Sequence, residues 1–131
     1  MLTIPHPRCS LVATVMLLLC LLVCASCTAP AITLRHVVLI KLNDSSELSA
    51  LEGDCDAKLA AIPSVVEYSR GRAVDTGRAA VDCDYDLAIE VAFSSLADYH
   101  AYLAHPEHLA LVTIWRPKSK QIRIFDFEAS R

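Results

Sequence analysis

Glycine is scarce: the three in 131 residues, Gly53, Gly71 and Gly77, do not cluster. A chain without a glycine-rich loop offers no backbone cradle for a nucleotide or flavin phosphate. Basic runs are missing too, and the net charge is −3 at pH 7. That balance argues against a nucleic-acid partner. Beyond Cys27 the cysteines are Cys55 and Cys83, so no pair has the short spacing of a zinc site. There is no internal repeat and no low-complexity tract, and the length suits one domain. Neither a cofactor nor a metal is expected.

Charge is also absent from Cys9 to Leu34, where Leu11 to Val23 is almost purely aliphatic. Arg8 precedes this run and the small residues Ala25 and Ser26 follow it, the layout of a secretory signal peptide over residues 1–26. A spanning helix needs about 20 apolar residues, and Thr28 to Pro30 interrupt the run before that length. The expected protein is therefore exported. The segment Val23-Cys24-Ala25-Ser26-Cys27 also resembles a bacterial lipobox, with Cys24 where such boxes carry Leu. Lipidation at Cys27 would hold the protein on a membrane, because acyl chains bury many methylenes at about 0.8 kcal/mol each. Cleavage and release is the alternative, and a short linker, 27–34, would lead into a folded domain over 35–128.

Within that domain His36 to Leu42 is apolar almost throughout, as in a strand covered on both faces. Asp44, with Glu47 three residues on, has the form of a capping box. Leu48, Leu51, Cys55, Leu59 and Ile62 then recur at helical spacing until Pro63. Val65 to Val74 reads as a second strand and Asp75 to Asp84 as a loop. Tyr85, Leu87, Ile89, Val91 and Phe93 alternate with smaller or polar residues, a clear strand signature. Ser95 caps a helix carrying Leu96, Tyr99 and Leu103. Pro106 breaks it at His105 and starts another helix, ending at Pro117. Gln121 to Phe127 forms the last strand, with Ile122 and Ile124 opposite Phe125 and Phe127.

The order βαββαβ gives an α+β, ferredoxin-like plan: a four-stranded antiparallel sheet with helices on one face. Tyr68, several aliphatic positions and the phenylalanines of the last strand are expected on the other face. A sheet apolar on both sides needs a second cover, and a homodimer through that face supplies it.

Three segments together resemble the stress-responsive A/B barrel family. They are His36-Val-Val-Leu-Ile-Lys-Leu, Tyr85-Asp-Leu-Ala-Ile-Glu-Val-Ala-Phe-Ser-Ser and Tyr102-Leu-Ala-His-Pro-Glu-His-Leu. The last matches a Tyr-x-x-His-Pro-x-His run frequent in the family. The resemblance implies two ferredoxin-like subunits packed sheet to sheet as a dimeric α/β barrel. One plant member, olivetolic acid cyclase, closes a polyketide ring without a cofactor, using a Tyr and a His. Those roles would fall on Tyr102 and His108. Leu87 stands where that enzyme places a further histidine.

A phenol and an imidazole around an apolar pocket suit enolisation, aldol closure or small isomerisations, since a histidine titrates near neutral pH. In the alternative, His105 caps a helix and His108 bonds within the fold. The resemblance places His36 near the pocket mouth, and His36, Tyr68 and His105 join the candidate ligand-binding residues. A small apolar or aromatic ligand is expected. Metal binding by His105 and His108 is disfavoured, because Pro106 breaks the helical geometry. Arg70 and Arg72 could meet an anionic ligand, face solvent or pair across the dimer. Cys55 and Cys83 could form a disulfide, or Cys55 could be a small apolar residue of the helix stripe. Three functions follow: a small-molecule-binding dimer, a cofactor-independent cyclase- or lyase-like enzyme, or a structural stress protein assembling through its sheets.

Overall fold

The computed structural model describes residues 31–129. The expected signal peptide of residues 1–26 and the lipidation site at Cys27 lie outside the described residues.

The sheet consists of β1 (Leu34–Leu42), β2 (Glu67–Gly71), β3 (Leu87–Phe93) and β4 (Ser119–Glu128), in spatial order β2-β3-β1-β4 with every neighbouring pair antiparallel. Helices α1 (Leu48–Lys58), α2 (Leu96–Ala104) and α3 (Pro106–Trp115) cover one face. The α+β, ferredoxin-like plan expected from the sequence is the one observed.

Register decides which side chains meet the helices. His36 stands opposite Val91 and Asp126, Val38 opposite Ile89 and Ile124, and Ile40 opposite Leu87 and Ile122. Alternation then sends Val37, Leu39, Phe125 and Phe127 to the other face. The centre under the helices is sealed: Leu51, Cys55, Leu59, Leu87, Val91 and Phe93 are fully buried. Cys55 occupies the α1 stripe, its thiol pushed up to about 12 chiefly by burial. It is not bonded to Cys83, which belongs to the loop before β3. Of the two readings, the apolar helix residue is the one realised.

Tyr68 differs from expectation. Pairing with Val91 turns it under α1, where its hydroxyl donates to Asp56 Oδ1 at 3.0 Å. Arg70 and Arg72 reach carboxylates of the same helix. Arg70 grips Asp56 through Nε and Nη2 at 2.7 Å each, and Arg72 grips Glu52 at 2.8 and 2.7 Å. β2 stops at Gly71, short of Val74, because its partner β3 begins only at Leu87. Just before β3, the Asp86 carboxylate accepts from Leu42 N at 2.8 Å.

The helix boundaries follow local chemistry. Asp44 Oδ1 accepts from Ser46 N at 2.9 Å, but the turn it caps, Ser45–Glu47, is a 3-10 helix leading into α1. Glu47 does not close a capping box; it pairs with Lys118. Ser95 Oγ accepts from Asp98 N at 3.0 Å to open α2. Pro106 takes the first position of α3.

Candidate functional site

The α2–α3 junction builds the site. The break at His105 turns the chain so that Tyr102, in the last turn of α2, meets His108, in the first turn of α3. Their rings lie 4.5 Å apart. His36 reaches up from β1, with ring centroids 5.9 Å from Tyr102 and 5.5 Å from Tyr99. Phe93 closes the cluster at 5.1 Å from Tyr102.

Hydrogen bonds fix the imidazoles. His108 Nδ1 lies 3.1 Å from the carbonyl oxygen of Leu103. A carbonyl only accepts, so Nδ1 carries the proton and the neutral ring keeps its lone pair on Nε2. Burial holds the His108 pKa below its ordinary 6.5. His36, 3 % exposed, sets Nδ1 2.5 Å from Asp126 Oδ1, while Tyr99 donates to the other oxygen of Asp126 at 3.0 Å. Among the described residues the Tyr102 hydroxyl has no hydrogen-bond partner, and burial pushes its pKa up.

Tyr102 also lines a cleft of about 280 Å³ between α3 and the β1–β4 edge of the sheet. Val38, Ile40, Ile89, Leu111 and Trp115 supply most of its wall, and Ile122 and Ile124 stand half-exposed at its edge. The cleft sits near the lower end of the range of about 300–1,000 Å³ typical of small-molecule pockets. A largely apolar wall with one unengaged phenol can hold an apolar body and orient one oxygen on it.

Tyr102, His108 and His36 thus come together, although the cleft wall includes Tyr102 and neither histidine. Tyr68 is engaged with Asp56, away from the cleft. His105 caps α3, its Nδ1 accepting from Glu107 N at 3.3 Å. Asp126 escaped the sequence reading. Its position between Phe125 and Phe127 on the helix-facing side of an alternating strand was the available signal.

Among the described residues no three His, Cys, Asp or Glu groups are placed to hold a metal ion. None of the described helices is long and apolar enough to cross a membrane.

Residues 34–129 match the stress responsive A/B barrel domain family. The chain belongs to that family. No curated protein sequence matches it. Among solved structures, a Dabb family protein with a ferredoxin-like fold from Mesorhizobium loti is 25 % identical with a TM-score of 0.64, covering 77 % of this chain and 100 % of its own. A dimeric ferredoxin-like protein of unknown function from Thermobifida fusca is 23 % identical, with a TM-score of 0.64 and coverage of 79 % and 97 %. The hydroxynitrile lyase of Passiflora edulis is 21 % identical, with a TM-score of 0.64 and coverage of 78 % and 96 %.

Proposed function

We propose that this A/B barrel domain is a homodimer whose subunits each bind a small apolar or aromatic molecule in the cleft under α3. The observation that carries the reading is the Tyr102 hydroxyl, without a partner among the described residues, in a wall that is apolar except for Arg116 and Ser119 at its far end. The ring is buried but its hydroxyl is not among the sealed polar atoms, so a ligand oxygen in the cleft can accept its hydrogen bond. A purely structural domain has no use for this opening and would fill it, since interiors pack densely. Titration with 2-naphthol, followed by fluorescence, tests the reading. One saturable site per subunit is expected, lost in Val112→Phe, which fills the half-exposed wall. Absence of saturable binding sinks the proposal.

A cofactor-independent lyase- or cyclase-like reaction is the second reading. Its support is the His108 tautomer, with Nε2 free to take a proton beside Tyr102, and the hydroxynitrile lyase among proteins of the same fold. On this reading His108→Ala keeps 2-naphthol affinity but loses cleavage of an aromatic hydroxynitrile by about 10²–10⁴-fold. If the unsubstituted protein shows no turnover, the enzymatic reading falls and the binding reading stands.

The dimer uses the sheet face away from the helices. Phe125 and Phe127 are 53 % and 49 % exposed there, beside Val37, Leu39, Ala88 and Ala92. The Thermobifida fusca protein described as dimeric shares the fold. Phe125→Glu/Phe127→Glu should sediment as a monomer with helix content retained; an unchanged dimer places the interface elsewhere. The protein is exported in this reading, released or held by a lipid on Cys27. Mass spectrometry of the mature N-terminus separates those two outcomes, and an uncleaved Met1 overturns export by cleavage.

A further inference from the structure

The two ends of the cleft differ in chemistry. Tyr102 stands beside the N-terminal end of α3, next to His108, and Arg116 follows its C-terminal end. Ten helical residues at about 1.5 Å each separate the two ends by roughly 15 Å. Strand β4 runs along the same path, from Ser119 beside Arg116 to Ile124. The long walls between them are apolar.

Arg116 is unlike the arginines of the sheet. Arg35 pairs with Glu67 and Glu90, Arg70 with Asp56 and Glu52, and Arg123 with Asp82. Its neighbour Lys118 is taken up by Glu47 and lies over the Trp115 ring. Among the described residues Arg116 holds no carboxylate, although the chain is rich in acidic groups, and it lines the cleft.

We infer that the ligand is an amphiphilic monocarboxylate, its anionic head on the Arg116 guanidinium at the mouth and its hydrocarbon body along the apolar wall. The inference deepens the ligand-binding reading and rests on it, adding a second polar group: the ligand oxygen on Tyr102 and the carboxylate on Arg116 sit at opposite ends of the cleft. A guanidinium matches a carboxylate with two parallel N–H donors, a fit that a neutral head group cannot reproduce. The wall recognises methylene surface and the cleft length sets an upper limit on the chain. The size of the cavity favours a medium-length alkyl chain, or one ring with a short alkyl tail, over a long-chain lipid.

A matched pair of probes isolates the head group. Octanoate and 1-octanol present the same chain length to the cleft, and each can displace 2-naphthol. The expected result is octanoate binding about tenfold tighter than octanol at low salt, as charge-assisted hydrogen bonds exceed neutral ones. Arg116→Gln should erase the difference by weakening octanoate alone, and Arg116→Lys should restore part of it. A preference for octanoate that survives Arg116→Gln overturns the assignment. Equal binding of both probes to the unsubstituted protein also overturns it while leaving the apolar cleft reading intact. If Arg116 serves only the negative end of the α3 dipole, Arg116→Gln lowers the melting temperature without touching the ratio of affinities. If neither probe displaces bound 2-naphthol, this inference falls and the apolar-cleft reading stands; if 2-naphthol itself does not bind, both fall.

Discussion

The two edge strands meet the helix layer in opposite ways. Under β2 every polar side chain that faces α1 is engaged: Tyr68 and Arg70 with Asp56, Arg70 and Arg72 with Glu52. Along β4 the helix-facing Ile122 and Ile124 are 39 % and 55 % exposed, and the Tyr102 hydroxyl stands without a partner among the described residues. One half of the layer is closed by ion pairs and the other is left open as an apolar cleft. On the proposed reading, the same fold separates stability from ligand capacity across the width of one sheet.

The separation breaks most visibly in the core. Leu87, on the central strand β3, is fully buried, so Leu87→Ala should cost about 3 kcal/mol through lost burial and the cavity left behind. Ile124→Ala removes a similar side chain from the open edge and should cost less than about 1 kcal/mol. Urea unfolding of both variants gives the comparison directly. Equal costs would mean that β4 is covered in solution and that the cleft is not open.

A smaller effect belongs to the closed half. Glu52 is 9 % exposed, and hydrogen bonds from Arg72, ahead of its attraction to Arg72 and Arg70, hold its pKa below the ordinary 4.5. Its charged form thus favours the fold above that value, and the contribution is lost as pH falls through the depressed one. Glu52→Gln should cost about 1 kcal/mol at pH 7, because the arginines it leaves behind remain partly hydrated. As pH falls below the depressed pKa of Glu52 the two proteins should converge in stability. Thermal melts at pH 7 and at pH 3 measure this, and a gap that persists at acid pH would mean that packing, not charge, supplies the contribution.

Local pattern made the elements legible but not their partners. The alternation of Leu87, Ile89, Val91 and Phe93 announced β3, and Pro106 announced the break that brings Tyr102 to His108. Tyr68 was misplaced because five residues of strand carry no mark of which face a helix will cover; the pairing with Val91 decides it. Arg70 and Arg72 looked free because their carboxylates lie 14 to 20 residues earlier, on a helix whose orientation over the sheet is a tertiary fact. Asp126 was invisible for the same reason: only the β1–β4 register brings it to His36, 90 residues away. The cleft, too, depends on how far α3 stands from β4, and no periodicity reports a distance between elements.

The smallest change is the sharpest test of the open half. Tyr102 is 2 % exposed, yet its hydroxyl bonds to no described residue, whereas the Tyr99 hydroxyl donates to Asp126 at 3.0 Å. Removing an oxygen that has no partner among the described residues leaves none of their acceptors or donors stranded, so Tyr102→Phe should change unfolding free energy by less than about 0.5 kcal/mol. Tyr99→Phe deprives a carboxylate of a donor and should cost about 1 kcal/mol. Binding should invert the order. Tyr102→Phe should weaken 2-naphthol several-fold, because the ligand oxygen loses the hydroxyl that orients it, and Tyr99→Phe should leave binding nearly unchanged. A Tyr102→Phe protein that is clearly less stable, with ligand affinity untouched, would show that the hydroxyl belongs to the fold after all.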